Sequence, residues 1–307
     1  MEDSQRIHML QSPKRPVDVV IDTDTYNEVD DQFALAYLLK NSDKLRLQAV
    51  YAAPFLNEKA ETPKEGMEKS YQEILNILDL ADAGEYKASV FRGAESFLKD
   101  EKSPAVSCAS KDLIERALRY SQENPLYVIG IAAATNIASA ILQEPAIKER
   151  IVVIWLGGSA FHCSGMEEFN LMEDFCAARV LFDSGVPLVQ LPCWGVAENF
   201  TLSRPEMETY LSGENKLADY LIQYAIEEVE KWASGSAWAK VIWDVTAVAW
   251  LLNDGQRFMN DRIVPCPEIK SPAGYFFSEE RHSMKYVYRI ERDALMTDLI
   301  TKLRNGE

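Results

Sequence analysis

The stretch VDVVIDTDTYNEVDDQFALAYLLK, Val17 to Lys40, decides the fold. It opens on an apolar, β-branched run, Val17 to Ile21, and passes straight into four aspartates, Asp22, Asp24, Asp30 and Asp31. A helical pattern follows, with Phe33, Leu35, Ala36, Leu38 and Leu39 as its predicted apolar face. A strand therefore delivers four carboxylates to one strand-to-helix turn. Crowded carboxylates repel and raise one another's pKa unless a cation or hydrogen-bond donors intervene. Hard divalent cations such as Ca²⁺ and Mg²⁺ take such oxygens as ligands. Open α/β sheets bind ligands at the C-terminal ends of their strands. A metal-assisted active site is therefore expected at this turn.

The same alternation continues along the chain. Strands are predicted at 17–22, 45–53, 126–131, 151–156 and 186–191, and helices at 30–40, 64–80, 110–122, 136–143 and 173–184. Such alternation builds βαβ units, so the expected fold class is α/β: an open, mostly parallel sheet flanked by helices. Beyond residue 200 additional helices are predicted at 204–212, 215–233, 244–253 and 293–304, with short strands at 262–266 and 285–291. Residues 1–16 read as a polar lead-in. With no repeat or low-complexity linker, 1–307 reads as a single domain.

At 47% hydrophobic residues the chain has the composition of a globular protein with a sizeable core. Its net charge of −16 argues against nonspecific binding to nucleic acid or to an anionic membrane. It does not exclude a small polar ligand. No segment reaches the about 18 apolar residues of a spanning helix, and the opening residues lack a signal-peptide core. A cytoplasmic location is expected. Cys108, Cys163, Cys176, Cys193 and Cys266 are scattered without a CxxC pair. That spacing suits reduced, structural thiols better than disulfides or a zinc site.

Three later segments carry chemistry. YVIGIAAATNIASAIL, 127–142, reads as a strand, a small-residue turn and a helix starting near Thr135 and Asn136. Its small side chains suit either backbone approach to a ligand or tight helix–strand packing. IVVIWLGGSAFHCSGMEEFNLMEDFCAARVLF, 151–182, reads as a buried strand ending at Gly157-Gly158, then a polar loop to Glu168, Asn170, Glu173 and Asp174. Alternate side chains of an extended segment share a face, so Glu168 and Asn170 can both meet sugar hydroxyls. Helix capping by Asn170 or the acids is the competing reading. In WAKVIWDVTAVAWLL, 238–252, Asp244 opens a nearly apolar helix. Locally it is most simply an N-cap, and it gains a role only if the other carboxylates form a site.

Together these segments resemble the inosine–uridine nucleoside hydrolase family, in motif order from about residue 17 to 254. The opening cluster resembles the family's DxDPGxDD signature, and GIAAATNIA its GPLTNIA segment. LGGSAF, EEFN and DFCAARVLF resemble its glycine turn, EFN and DPEAA region. Trp243-Asp244 falls where the family has His-Asp. The resemblance implies an open α/β sheet and hydrolysis of the N-glycosidic bond of a ribonucleoside with bound Ca²⁺. It implies Asp24, Asp31, Asp244 and the Ile131 carbonyl as metal ligands, with Asp24 also the base that takes a proton from water. Asp30, Glu168 and Asn170 would hold ribose hydroxyls. A homodimer or homotetramer is implied as well.

The sequence departs from the family pattern in four places. Five residues, Thr25 to Val29, separate Asp24 from Asp30 where the signature has three. The Gly-Asn after the second strand is absent, and Asn57 is expected to replace its amide. The asparagine before EFN is missing, with His162 nearby. Trp243 stands where a histidine is often the leaving-group acid, leaving His162 as the candidate acid and Trp243 as a stacking face. Two other readings compete. DTDT after a strand also resembles the DxDx[TV] motif of haloacid-dehalogenase-type phosphatases, with Asp22 as nucleophile, Asp24 as acid/base and Mg²⁺. A nucleoside- or ribose-binding homologue without catalysis is the non-enzyme alternative.

Overall fold

The computed structural model describes residues 1–270 and 274–304. The first two thirds of the chain alternate: α1 (Asp3–Met9), β1 (Val17–Thr23), α2 (Asp30–Leu39), β2 (Leu45–Ala52), α3 (Pro63–Leu80), β3 (Val90–Arg92), α4 (Cys108–Ala117), β4 (Leu126–Gly130), α5 (Thr135–Gln143), β5 (Ile151–Leu156), α6 (Phe169–Glu173), α7 (Phe175–Asp183) and β6 (Leu188–Leu191). The remainder is β7 (Thr201–Ser203), α8 (Arg204–Tyr210), α9 (Lys216–Ala233), β8 (Ala239–Val241), α10 (Val245–Trp250), β9 (Met259–Pro265), β10 (Glu268–Lys270), β11 (Gly274–Phe276), β12 (Ser283–Ile290) and α11 (Arg292–Arg304).

Eight strands pair in the order β3-β2-β1-β4-β5-β6-β12-β9, parallel except for β9 against β12. This is the expected mostly parallel α/β sheet. Covered strands of such a sheet are buried on both faces. In β1, Val19 and Ile21 enter one hydrophobic core and Val20 the other, following the two-residue alternation of side chains. From β1 the chain winds outward through β2 to β3, then returns to lay β4 on the other side of β1. That reversal opens a crevice at the carboxyl ends of β1 and β4. Asp22 pairs with Tyr51 on one side and Gly130 on the other, so three strand ends arrive there in register.

Several local expectations change. α2 has no single apolar face: Asp30 through Leu38 are buried, while Leu39 is only half-buried. α10, α3, α9 and α11 all pack against it, and a helix covered all round is core. The helix predicted at 173–184 is α7, starting behind Asp174, whose carboxylate accepts from Ala177 N at 2.9 Å and caps it, and a further short helix, α6, precedes it. The helix predicted at 110–122 starts earlier, behind the Ser107–Ser110 capping box, and ends at Ala117. The polar lead-in contains α1. Arg6 is buried there and donates from Nε to Gly185 O at 3.0 Å, and Asp3 accepts from Ser283 N at 2.9 Å, docking α1 beside β12.

Candidate active site

Five chain segments meet at the crevice. The β1–α2 turn brings Asp24, Asn27, Glu28, Asp30 and Asp31; Ile131 follows directly on β4. β5 ends on Leu156, beyond it come Glu168, Phe169 and Asn170, and beyond β6 come Cys193 and Trp194. Trp243 and Asp244, at the start of α10, close the cleft from the far part of the chain.

Carboxylate oxygens of Asp30, Asp31 and Asp244 lie within 4.8 Å of one another, and all three residues are buried. Burial, then the charges of Asp30, Asp31 and Asp24, hold Asp244 well above the usual carboxylate range. Burial, then Asp24 and Asp30, do the same to Asp31. Asp24 is raised by burial first and by the nearby Glu173 next. Burial pushes Asp30 up to about 6, with the Lys240 ammonium opposing it; Lys240 Nζ lies 3.8 Å from Asp30 Oδ1 and also pairs with Glu28.

Fixed donors aim these groups. Thr23 Oγ1 donates to Asp31 Oδ1 at 2.5 Å. Asn27 Nδ2 donates to Asp24 Oδ2 at 2.9 Å, and Asn57 Nδ2 donates to Asn27 Oδ1 at 2.6 Å. Two oxygens bear on the metal question. Asp30 Oδ1 is buried with no hydrogen-bond partner. Asp244 occupies the N-cap position of α10, yet its side chain makes no capping bond. The simple capping reading of Asp244 therefore fails, because its carboxylate turns to the other acids. Three buried carboxylates with an unpartnered oxygen fit a hard divalent cation.

In the loop beyond β5, Glu168 caps the short α6, accepting from Asn170 N at 2.9 Å and Leu171 N at 3.0 Å. It also accepts from Gly158 N at 2.6 Å. Gly158 has φ of +74°, and a Cβ there would come 2.3 Å from the Tyr275 hydroxyl, so glycine is required. Asn170 Nδ2 donates to Leu156 O at 3.2 Å. Glu168 thus does both things considered for this loop: it caps a helix and faces the cleft.

The structure brings together Asp24, Asp30, Asp31, Ile131, Glu168, Asn170, Trp243 and Asp244. It leaves two expected residues outside the lining. Asn57 stands behind Asn27, because the lengthened loop puts Asn27 against Asp24 instead. His162 is exposed on the loop after β5; a Cβ on Gly195 would lie 3.2 Å from its Cε1, so its ring rests on the Trp194–Gly195 turn. Asp22, the nucleophile of the phosphatase reading, is also outside. It accepts from Asn136 Nδ2 at 2.8 Å, and Asn136 Oδ1 accepts from Ala94 N at 2.8 Å, a packing arrangement. Asn27, Cys193 and Trp194 were not anticipated. The signal for Cys193 and Trp194 was their position just after a parallel strand.

The family model described as "Inosine-uridine preferring nucleoside hydrolase" matches residues 19–295. A pyrimidine-specific ribonucleoside hydrolase RihA from Klebsiella pneumoniae (strain 342) is 26% identical over 244 residues, 69% of this chain and 76% of the relative. A plant nucleoside hydrolase, PpNRh1, superposes with a TM-score of 0.73 at 18% identity, over 94% of this chain and 99% of its own. A purine-preferring ribonucleoside hydrolase from Gardnerella vaginalis superposes with a TM-score of 0.72 at 18% identity, over 94% and 98%. At these identities the two structures speak for the fold.

Proposed function

The chain belongs to the inosine-uridine preferring nucleoside hydrolase family, whose members hydrolyse N-glycosyl bonds, and we propose that it cleaves a ribonucleoside to ribose and free base with the help of Ca²⁺. One observation carries this reading: carboxylates from opposite ends of the chain, Asp24, Asp30 and Asp31 against Asp244, converge in one buried cleft.

Asp24, Asp31, Asp244 and the Ile131 carbonyl would hold the ion; of these, Asp31 and Asp244 lie in the close carboxylate group with Asp30, and Asp24 joins them in the cleft lining. The neighbouring Ala132 carbonyl is already taken by Trp155 Nε1 at 3.0 Å, which favours Ile131 for that part. A bound Ca²⁺ lowers the pKa of water and so supplies a nucleophile at neutral pH. Asp24 accepts the proton of the attacking water. Asp30, Glu168 and Asn170 receive the ribose hydroxyls and support positive charge developing on the sugar. Glu168 accepts from three backbone N–H groups there, which oppose the rise that burial gives its carboxyl. His162 as leaving-group acid has little support from its exposed position, and Trp243 offers the base a stacking face. The named relatives include a pyrimidine-specific and a purine-preferring enzyme, so similarity alone does not choose the base.

The test is ribose release from a panel of purine, pyrimidine and pyridinium ribosides, with and without chelator. Turnover lost on chelation and restored by Ca²⁺ supports the reading; full turnover in chelator sinks the metal's part. Asp24→Asn should lower kcat at least about a hundredfold, the usual worth of a general base. The chain is proposed to act as one domain and as a homodimer or homotetramer, to be read by light scattering. A cytoplasmic location is proposed too, in keeping with five free thiols.

A further inference from the structure

Asn27, in the lengthened turn, has every polar group of its backbone and side chain engaged. Its N–H donates to Asp24 O at 2.7 Å, and its Nδ2 donates to Asp24 Oδ2 at 2.9 Å. Its Oδ1 accepts from Asn57 Nδ2 at 2.6 Å, and its backbone carbonyl accepts from Lys59 Nζ at 2.8 Å. The first two bonds aim Asp24. The last two hold the residue that aims it.

The two donors that hold Asn27 are presented as a unit, because Asn57 Oδ1 accepts from Lys59 N at 2.8 Å. The loop between β2 and α3 that carries them is itself anchored at two points. Leu56 N donates to Glu173 Oε1 at 2.6 Å, and Lys59 O accepts from Lys69 Nζ of α3 at 2.6 Å.

Lys59 adds a further tie. Its side chain is only 18% exposed, and its Nζ pairs with Glu228 Oε2 of α9 at 2.8 Å. The ammonium also lies 5.9 Å from the ring centre of Tyr26 and 5.7 Å from that of Tyr224. An ammonium carries three donors, so one group bridges a carbonyl and a carboxylate at once, and charge-assisted bonds of this kind are the strong ones. Burial raises the Glu228 carboxyl, but hydrogen bonds from Lys231 and Lys59 outweigh it and hold the group below its ordinary value. The bridge is therefore an ion pair. Its far end is a firm support, since α9 runs for eighteen residues and packs on α2 and α3.

Resting on the riboside-hydrolase reading above, we propose that Lys59 is a positioning residue for the reaction: it fastens the lengthened turn to α9 and, through Asn27, fixes the direction of the Asp24 carboxylate. Lys59 lies outside the cleft lining. Its loss therefore reaches the chemistry by way of Asp24 and leaves Asp30, Glu168 and Asn170 in place to receive the sugar.

Lys59→Met keeps an unbranched stem between the two tyrosines and removes the bridging donor. In the Ca²⁺-loaded protein, kcat for the best riboside of the panel should fall about tenfold, with KM within about twofold of native. The Ca²⁺ Kd, read by calorimetry, should rise about threefold, less than the about tenfold of a group bonded directly to a metal ligand. The route is read from a cycle with Asn27→Ala. That change keeps the carbonyl that Lys59 holds and removes the amide that reaches Asp24. Adding Lys59→Met to it should therefore lower kcat and Ca²⁺ affinity no further. An equal loss in both backgrounds would make Lys59 a prop for the fold and overturn the proposal, as would a native kcat in Lys59→Met. Should Lys59→Met fail to unfold cooperatively in urea, Glu228→Gln weakens the bridge from the α9 side and carries the same comparison, with a smaller loss of kcat expected. If the native protein releases no ribose, the broader reading fails, and the Ca²⁺ cycle still decides whether Lys59 acts on Asp24 through Asn27.

Discussion

Asn27 illustrates how one side chain in a lengthened loop can replace another from elsewhere. Its amide donates to Asp24 Oδ2 at 2.9 Å, while its own oxygen is fixed by Asn57 at 2.6 Å. The Asn27 backbone carbonyl accepts from Lys59 Nζ at 2.8 Å, and Lys59 pairs with Glu228 of α9 at the same distance. The orientation of Asp24 is thus tied to α9. Asn27→Ala should lower kcat more than KM, because it frees the proposed base without touching the sugar contacts. Loss of one such bond is worth about 1–3 kcal/mol. Asn57→Ala should have the smaller effect in the same direction. Steady-state kinetics on both variants checks this, and unchanged kcat in Asn27→Ala would remove its positioning role.

Helix and strand ends do the assembling. The crossover after β3 brings Gly93 and Ala94 against the start of α5, where Asn136 bonds both Ala94 N and Asp22. A Cβ on Gly93 would sit 2.1 Å from Ala52 O and 2.4 Å from Asn136 Nδ2. Two of the three strand ends framing the crevice meet there, so nothing can give cheaply. Gly93→Ala should destabilise the protein by about 1–3 kcal/mol or more, the range for overpacking, read as a lower urea midpoint. A midpoint unchanged from the native protein would mean that this junction is looser than its geometry implies.

The whole protein carries a cost for burying its acids. Burial pushes Asp22 up to about 7, against the donor Asn136, and holds Asp24, Asp31 and Asp244 high as well. A group whose folded pKa is raised keeps its proton after the unfolded chain has lost it. Its contribution is complete below the unfolded value, near 3.8, and is lost as pH rises through the folded one. The metal-free protein should therefore lose stability from about pH 4 to about pH 7. His282, lowered by burial to about 4, works in the opposite sense as pH falls below its ordinary value. Ca²⁺ at a hundred times its Kd should restore about 2.7 kcal/mol, most visibly at neutral pH. Thermal melts with chelator and with Ca²⁺ across this pH range test the account. A Tm indifferent to both pH and cation would refute it.

The sequence by itself determined the parallel frame, because β-branched runs such as Val17–Ile21 and helix-period segments report burial and periodicity locally. It also determined that acids end the first strand, and that motif order resembles one family. It left open which of those acids look inward. Asp22 and Asp24 are two residues apart on one strand end, yet one is held by Asn136 and the other lines the cleft. Asp244 reads locally as a cap, and only the packing of α10 on α2 turns it to Asp30 and Asp31. The roles of Asn27 and Trp194 likewise depended on what faces them across the crevice. Local pattern fixes period and burial, whereas convergence of distant side chains is a property of how strands are ordered and helices laid over them, and only the tertiary structure decides that.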